Sequence, residues 1–404
     1  MKRILIIFNL LFLYSLTTFA QSEKKVENWK EGFLDIHFIN TGSGNTSFLV
    51  LPDGTTLLID AGTLNRAAFE KKNAPLKVTA PVPNDTHSPA EWIALYIQNA
   101  MPKQRKPTID YALITHFHDD HYGSLVELGK IIPIKNMIDR AYPNYNFPLN
   151  LKTFLAKDTI FQNYLTFLKD FNVPTQSLKA GSRSQIKPLI APEKYPNFHV
   201  RNVKANSTIW TGKGDTTLEY FKAEDMTTFY KGKYNENPLS LALKITYGDF
   251  DFFTGGDNTG LQGFGMPSWF DVETPMAIAV GKVEAMSLNH HGNRDATNAF
   301  FVNTLDPKVV IQQLWCSDHP GQEVYQRLIY KGENTEGGRD IFTTNMHPET
   351  LVTYGPWFKD NYKNMKGHLL IRVQPDGKQY SVYVLDETRQ DLTIKQTFGS
   401  YFSK

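Results

Sequence analysis

The most constraining feature of the chain is a short run, 116–121, that holds three histidines and two aspartates. Imidazole and carboxylate groups are ligands that zinc and similar divalent ions accept readily, so the run predicts a metal site in preference to a histidine-rich polar turn. An apolar stretch precedes the run at 111–114, and an amphipathic stretch follows it at 122–128. These flanks predict a strand-to-helix loop, where α/β folds commonly carry active-site residues.

The spacing His116-x-His118-x-Asp120-His121 resembles the signature of the metallo-β-lactamase superfamily. The resemblance implies a dinuclear site in which His116 and His118 bind metal 1, while Asp120 and His121 bind metal 2. Asp119 falls in the variable position of the signature and is expected to be a solvated loop carboxylate. The resemblance also implies an α/β fold of four layers, an αββα sandwich. The order of predicted elements by itself indicates only a mixture of helices and strands.

The remaining ligands are expected on loops after later strands. Asp257 follows two glycines at the end of a predicted strand, and it matches the aspartate that bridges both metals in the superfamily. The segment His290-His291-Gly292 resembles the branch of ComEC-type competence hydrolase domains and phosphorylcholine esterases. We predict that His291 completes metal 1 and that His290 lies at the cleft as a proton donor or hydrogen-bonding partner, with the reverse order left open. Asp120 and His290 are the expected catalytic residues.

Three further polar residues complete the predicted site. His319, in a Ser-Asp-His-Pro segment, resembles the last histidine of the superfamily and is expected to complete metal 2, with His347 as the weaker competitor. Asn237, in an Asn-Pro-Leu-Ser segment before a predicted strand, is expected to line the site and contact substrate, although a plain turn residue is the equal alternative. Asp60 is expected to support the metal loop through hydrogen bonds, as residues behind metal ligands commonly do.

The elements are distributed over one domain, predicted to span 21–404. A hairpin is predicted at 46–60, with its turn at Pro52-Asp53-Gly54. Two more strand pairs are predicted, at 239–254 and 369–384. Helices are predicted near 90–99, 155–171 and 323–330. The stretch of about 141–237 is the least regular, and we interpret it as an insertion that covers or shapes the substrate cleft.

The first residues have the composition of a secretory signal. A basic Met1-Lys2-Arg3 precedes an apolar run up to Leu16, and a small residue, Ala20, lies just before Gln21. This pattern predicts a signal peptide at 1–20 and export to the periplasm or beyond, with a retained membrane anchor as the alternative. No later segment is apolar and long enough to predict a stable membrane span.

Charge and cysteine content limit the other function classes. The formal net charge is +2, which gives no support for a large nucleic-acid-binding surface, although nucleic acid stays possible as a substrate. Cys316 is the single cysteine, so the chain has no intramolecular disulfide. We expect a buried and inert thiol there.

Two divalent ions that share an aspartate and a water produce a hydroxide near neutral pH. The sequence therefore predicts an exported dinuclear hydrolase, with zinc expected first and manganese or iron compatible with the same ligands. Resemblance favours phosphodiester bonds, in a small molecule or an envelope polymer. A lactamase or lactonase acting on acyl bonds is the enzymatic alternative, and a non-catalytic binding protein with the same fold is the other.

Overall fold

The computed structural model describes residues 24–261, 265–330 and 338–404. The predicted signal peptide at 1–20 lies outside these residues. Within the described ranges, no helix combines the length and the apolar character that crossing a bilayer demands.

The strands, in chain order, are β1 (Leu34–Phe38), β2 (Ser47–Val50), β3 (Thr56–Ile59), β4 (Tyr111–Leu113), β5 (Met137–Asp139), β6 (Thr175–Ser177), β7 (Phe198–Ala205), β8 (Thr208–Trp210), β9 (Thr217–Glu219), β10 (Ala242–Tyr247), β11 (Phe250–Thr254), β12 (Ala285–Ser287), β13 (Val309–Gln312), β14 (Asp340–Thr343), β15 (His368–Val373), β16 (Gln379–Leu385) and β17 (Ile394–Phe402). The described residues form two sheets. The first has the strand order β17-β16-β15-β1-β2-β3-β4-β5-β6, and the second has the order β14-β13-β12-β11-β10-β7-β8-β9.

The α-helices are α1 (Arg66–Lys72), α2 (Pro89–Ala100), α3 (Asp119–Tyr122), α4 (Leu125–Ile131), α5 (Leu151–Phe154), α6 (Thr159–Asp170), α7 (Ala223–Phe229), α8 (Glu273–Val280), α9 (Ala299–Leu305), α10 (Gln322–Ile329) and α11 (Pro348–Tyr354). Helix α2 begins with a capping box, in which the Ser88 side chain accepts from the Glu91 N–H and the Glu91 side chain accepts from the Ser88 N–H. Such caps satisfy amide groups that have no partner within the helix.

Three apolar cores hold four layers together. The central core fills the space between the sheets, with side chains such as Ile36, Leu57 and Leu113 from the first sheet and Ile245, Phe252 and Ile311 from the second. A second core packs α2, α4 and α6 on the outer face of the first sheet. A third packs α8, α9 and α10 on the outer face of the second sheet. The four-layer αββα prediction is confirmed.

The two sheets also determine where polar loops meet. Strands β3 and β4 run parallel, as do β11, β12 and β13. The predicted site residues Asp60, His116, Asp257 and His291 each follow one of these parallel strands. Open α/β sheets place ligands at the carboxyl ends of their strands, and here those ends from both sheets carry the site.

Most predicted elements are present, and the stretch 141–237 is more regular than its sequence indicated. The predicted hairpin is β2–β3, and the predicted helix near 155–171 is α6. The stretch 141–237 contributes β6 to the first sheet and β7, β8 and β9 to the second. Strand β7 pairs along its length with β10. The final strand, β17, was not predicted, because the sequence Ile394–Phe402 has no regular alternation of apolar and polar residues, in line with its mostly exposed side chains.

A buried ion pair joins two neighbouring strands of the first sheet and provides a stability test. Asp35 on β1 lies opposite Arg372 on β15, with Nε–Oδ1 and Nη2–Oδ2 distances of 2.8 and 2.6 Å. Asp35→Asn leaves the arginine charge buried without its partner, so we expect a loss of about 3–5 kcal/mol in unfolding free energy. Urea denaturation measures it. Glu27→Gln, in an exposed pair with Lys30, should leave the midpoint unchanged, and an unchanged midpoint in Asp35→Asn would contradict the prediction.

Candidate metal centre

The predicted metal loop connects β4 to α3, and buried hydrogen bonds hold its backbone. The Thr115 N–H donates to Asp60 Oδ1 at 2.7 Å, and the Thr115 hydroxyl donates to Asp60 Oδ2 at 2.8 Å. The Asn45 N–H donates to the Asp120 carbonyl at 2.7 Å. Gly62 leaves room for this loop, because a Cβ there would lie 1.7 Å from the Asp120 carbonyl oxygen. The loop therefore closes only over a glycine.

Two groups of donor atoms meet at this loop. His116, His118 and Asp257 form one group, which we call donor group 1. Asp120, His121, Asp257 and His291 form the other, donor group 2. Within each group the ligand atoms all lie within 4.8 Å of one another. Asp257 belongs to both groups, which is the position of a bridging carboxylate.

The separations show how closely the donors approach. In donor group 1, His116 Nε2 lies 3.1 Å from His118 Nδ1 and 3.6 Å from Asp257 Oδ2. In donor group 2, His121 Nε2 lies 3.0 Å from Asp257 Oδ1, and His291 Nε2 lies 3.0 Å from Asp120 Oδ2. His116 and His121 thus direct Nε2 towards the shared Asp257 carboxylate, and His291 directs Nε2 towards Asp120.

The residues fit divalent ions. His121 Nε2 and Asp257 Oδ1 are buried and have no hydrogen-bond partner of acceptable geometry among the described residues, although they face each other. Burial lowers the pKa of His116 well below its ordinary value, so its ring is neutral, the form that binds a metal. Burial alone would raise the pKa of Asp257, but the surrounding imidazoles, His121 first, hold it well below its ordinary value. The carboxylate is therefore ionised and available as a ligand.

Second partners orient the imidazoles of donor group 2. Asp60 Oδ2 lies 2.8 Å from His121 Nδ1, so this carboxylate orients the ring and leaves Nε2 towards Asp257. His291 Nδ1 lies 3.0 Å from the Gln313 carbonyl oxygen, which accepts the Nδ1 proton and leaves the lone pair of Nε2 towards Asp120, where the Trp315 Nε1–H also donates to it at 3.3 Å. Such partners determine which nitrogen faces a metal. Asp60 thus lies where the sequence placed it, behind the metal loop.

The two adjacent histidines are separated by a turn. Both have left-handed backbone conformations, with φ of 46° for His290 and 55° for His291. His291 is buried within donor group 2, whereas His290 is outside both groups and is partly exposed, with its Nε2 3.8 Å from Asp257 Oδ2. His290 Nδ1 lies 2.5 Å from Asp295 Oδ1, and its Nε2 lies 3.1 Å from Asn237 Nδ2. Asn237 therefore lies at the site.

A buried carboxylate holds this turn from below. Glu273, on α8, accepts from the Asn289 side chain at 2.8 Å and from the Thr297 and Asn298 N–H groups, each at 2.7 Å. Burial raises the pKa of Glu273 to about 7. Asn289, just before the two histidines, and Thr297 and Asn298, after them, are thus connected to the first residue of α8.

Two ligand assignments need correction. His291 was expected in metal 1 with His116 and His118, but it lies with Asp120 and His121, because the left-handed turn directs its ring to that side. His319 was expected to complete metal 2, but it is in neither donor group. Its ring stacks on that of His291, with centroids 4.9 Å apart, because His291 already occupies the position next to Asp120.

Two residues considered in the sequence analysis, His347 and Cys316, lie outside the donor groups. His347 caps α11, where its Nδ1 accepts from the Glu349 N–H, and it is outside both donor groups. Cys316 is buried beside Val78 and Trp315, and burial raises the pKa of its thiol. Asp295 was missed, and its only signal was its place five residues after His290 in a polar loop.

A cleft of about 710 Å³ opens beside the centre. Its floor includes His118 and Asp120, and its walls include Lys72, Phe154, Asp158 and Tyr234. Phe154 and Tyr234 come from the stretch 141–237 and pack edge to face, with ring centroids 5.3 Å apart. That stretch therefore forms part of the cleft wall, as well as strands of both sheets.

One family model matches the part of the chain that contains the metal loop. The model of the metallo-β-lactamase superfamily matches residues 40–158, which include the metal loop and Asp60 but not Asp257 or His291. The chain has the metallo-β-lactamase fold. The match covers fewer than half of the residues, and no comparison assigns the chain to the ComEC or phosphorylcholine esterase branch.

Individual relatives are distant. The chain is 28% identical over 166 residues to the anti-Pycsar protein Apyc1 of Bacillus phage BSP38, a match that covers 38% of this chain and 61% of that protein. Among solved structures, CmlA, a diiron β-hydroxylase from Streptomyces venezuelae, is 13% identical, with 70% of this chain and 45% of that chain covered and a TM-score of 0.36. Zn²⁺-bound PqqB from Methylobacterium extorquens is 12% identical, with coverages of 64% and 72% and a TM-score of 0.30.

Asp60 provides a test of how the site is supported. Asp60→Ala removes the acceptor for His121 Nδ1, so we expect zinc affinity at donor group 2 to fall about 10–100-fold. Competition against a chromophoric chelator measures it. Asp53→Ala, which removes another buried carboxylate beside β3 that contacts no ligand, is the control. Equal zinc affinities in wild type and Asp60→Ala would contradict the supporting role.

Proposed function

We propose that this protein is a dinuclear-metal hydrolase of phosphodiester bonds, with His116, His118, Asp120, His121, Asp257 and His291 as metal ligands. The observation that carries the proposal is the membership of Asp257 in both donor groups. A carboxylate shared in this way holds two ions close together, and two ions about 3.5–4 Å apart suit an in-line displacement at phosphorus.

Two divalent ions, zinc in the first place, supply a nucleophilic hydroxide at neutral pH and neutralise charge that develops on the attacked group. The residues of the chain position the ions and balance their charge. Asp257 and Asp120 hold the ligand cage together and balance its positive charge. The buried Asp60 keeps His121 in the tautomer that directs Nε2 inward. Imidazole and carboxylate ligands suit zinc, and the same set accepts manganese or iron.

His290 is the proposed proton donor to the leaving group. Hydrolysis breaks the bond between phosphorus and the leaving oxygen, which then needs a proton. The Asp295 carboxylate accepts from His290 Nδ1 at 2.5 Å and so directs Nε2 towards Asn237 and towards Asp257 Oδ2, which lies 3.8 Å away in the proposed metal centre. The Asn237 amide can donate to a neutral ring or, turned over, accept from a protonated one. It therefore positions His290 in both states.

The charge of the cleft favours a diester over a monoester. Among the described lining residues, Lys72 is the single lysine or arginine, while Asp119 and Asp158 are carboxylates. A phosphate monoester carries close to two negative charges at neutral pH, and a diester carries one. Apart from the proposed ions, the protein's own lining therefore repels the diester less and offers little to hold the second charge of a monoester. We propose a small-molecule or envelope-polymer phosphodiester as substrate.

We further propose that the protein acts in the periplasm or outside the cell. The basic and then apolar composition of 1–20 supports export. A substrate in the cell envelope would be consistent with that location.

Asp257→Ala tests the reaction class. With zinc supplied, we expect the wild type to hydrolyse bis(4-nitrophenyl) phosphate, and the variant to lose about 1,000-fold or more in kcat/KM, since the bridging ligand supports several kcal/mol of charge stabilisation. Asp170→Ala, an exposed carboxylate on α6, is the control. Turnover of nitrocefin or of a lactone, without diester turnover, would replace the proposal by acyl hydrolysis. No turnover and no bound metal would indicate a binding protein.

His290→Ala tests proton donation. A general acid contributes about 10²–10⁴-fold where the leaving group is a poor one. We therefore expect kcat/KM to fall by that amount for a methyl diester, and by much less for a 4-nitrophenyl diester, whose leaving group needs no proton. The zinc content should stay unchanged, because His290 is outside both donor groups. An equal loss for both substrates would contradict the assignment.

A further inference from the structure

A fully buried ion pair lies directly behind the metal loop. Arg140 follows β5 and Glu236 precedes β10, and their side chains are 0% and 5% exposed. Arg140 Nε donates to Glu236 Oε2 at 2.8 Å, and Arg140 Nη2 donates to Glu236 Oε1. Arg140 Nη1 donates to the Phe147 carbonyl and to Asn206 Oδ1, at 2.9 and 3.1 Å. The pair therefore connects the metal loop region to the stretch 141–237.

The carboxylate of this pair also contacts the metal loop itself. The Phe117 N–H donates to Glu236 Oε2 at 3.1 Å. Phe117 lies between the two histidines of donor group 1, so this bond fixes the peptide that joins His116 to Phe117. The Arg140 guanidinium lies over the Phe117 ring, 5.2 Å from its centroid, which holds the same residue from a second direction.

The two donor groups thus differ in their buried anchors. Asp60 bonds directly to His121 of donor group 2 and reaches donor group 1 only through Thr115, whose hydroxyl lies 3.2 Å from His116 Nδ1. Glu236 bonds to the peptide within donor group 1. Donor group 1 offers three ligands and donor group 2 offers four. The group with fewer ligands depends more on exact placement of those it has, because no fourth side chain constrains the ion.

We propose that the Arg140–Glu236 pair is a positioning device for donor group 1, which makes metal binding there depend on the packing of the stretch 141–237. This inference rests on the proposed dinuclear function. A buried ion pair is weak evidence of a stabilising role, since desolvation of both charges offsets their attraction. The bond to the Phe117 N–H gives this pair a specific use that the Asp35–Arg372 pair does not have.

The test separates the two donor groups. His116→Ala leaves donor group 2 intact, and Asp120→Ala leaves donor group 1 intact. Glu236→Gln is added to each variant, and zinc affinity is measured by chelator competition. We expect Glu236→Gln to weaken zinc binding about 10–100-fold in the Asp120→Ala background. In the His116→Ala background the affinity should change less than about threefold, against the 10–100-fold loss typical of an outer partner.

The matched control is Asp35→Asn, which breaks the other buried arginine–carboxylate pair and contacts no ligand. It should leave zinc affinity unchanged in both backgrounds. Arg140→Met combined with Glu236→Met removes both charges and keeps volume. If Glu236→Gln impairs folding, the double variant should still lose zinc only at donor group 1.

Three outcomes would overturn the inference. Glu236→Gln could leave both affinities unchanged, it could weaken both equally, or Asp35→Asn could weaken donor group 1 to the same extent. The first shows that the loop needs no anchor, and the other two show a general effect on the fold. A wild type that binds fewer than two zinc ions contradicts the proposed function itself, and this inference with it.

Discussion

The structure depends on one physical requirement: imidazoles and carboxylates that are withdrawn from solvent must neutralise one another or hold cations. Six such side chains, five of them buried and His118 half-buried, converge where the carboxyl ends of strands from both sheets meet, and Asp257 belongs to both of the groups that they form. Unpartnered polar atoms in a buried site are costly. Divalent ions held by the two donor groups, as we propose, would satisfy the lone pairs and balance the carboxylate charge together.

The fold supplies this convergence through ordinary packing. The central core presses the two sheets together, so the carboxyl ends of β4, β11 and β12 lie at one edge. Behind the ligands, Asp60 and Glu236 accept hydrogen bonds from Thr115 and Phe117 of the metal loop, and Glu273 accepts from the loop that follows β12. Three buried carboxylates therefore hold the two loops that carry most of the donor set. The left-handed turn at His290 and His291 directs His291 into donor group 2 and leaves His290 outside it.

Much of this was predictable from the sequence, because the metal loop carries four candidate ligands within six residues and lies between a strand pattern and a helix pattern. Asp257 and Asp60 were recognisable from their positions after strands. The position of His291 in donor group 2, where His319 was expected, was not predictable, since it depends on two positive φ angles that no local pattern indicates. The Arg140–Glu236 pair was equally invisible, because its members lie 96 residues apart.

The most direct measurement is a crystal structure of the zinc-loaded protein with anomalous data at the zinc edge. We expect two peaks about 3.5–4 Å apart, one beside His116 and His118 and one beside Asp120, His121 and His291, with Asp257 touching both. A single peak, or zinc bound away from Asp257, would contradict the dinuclear centre.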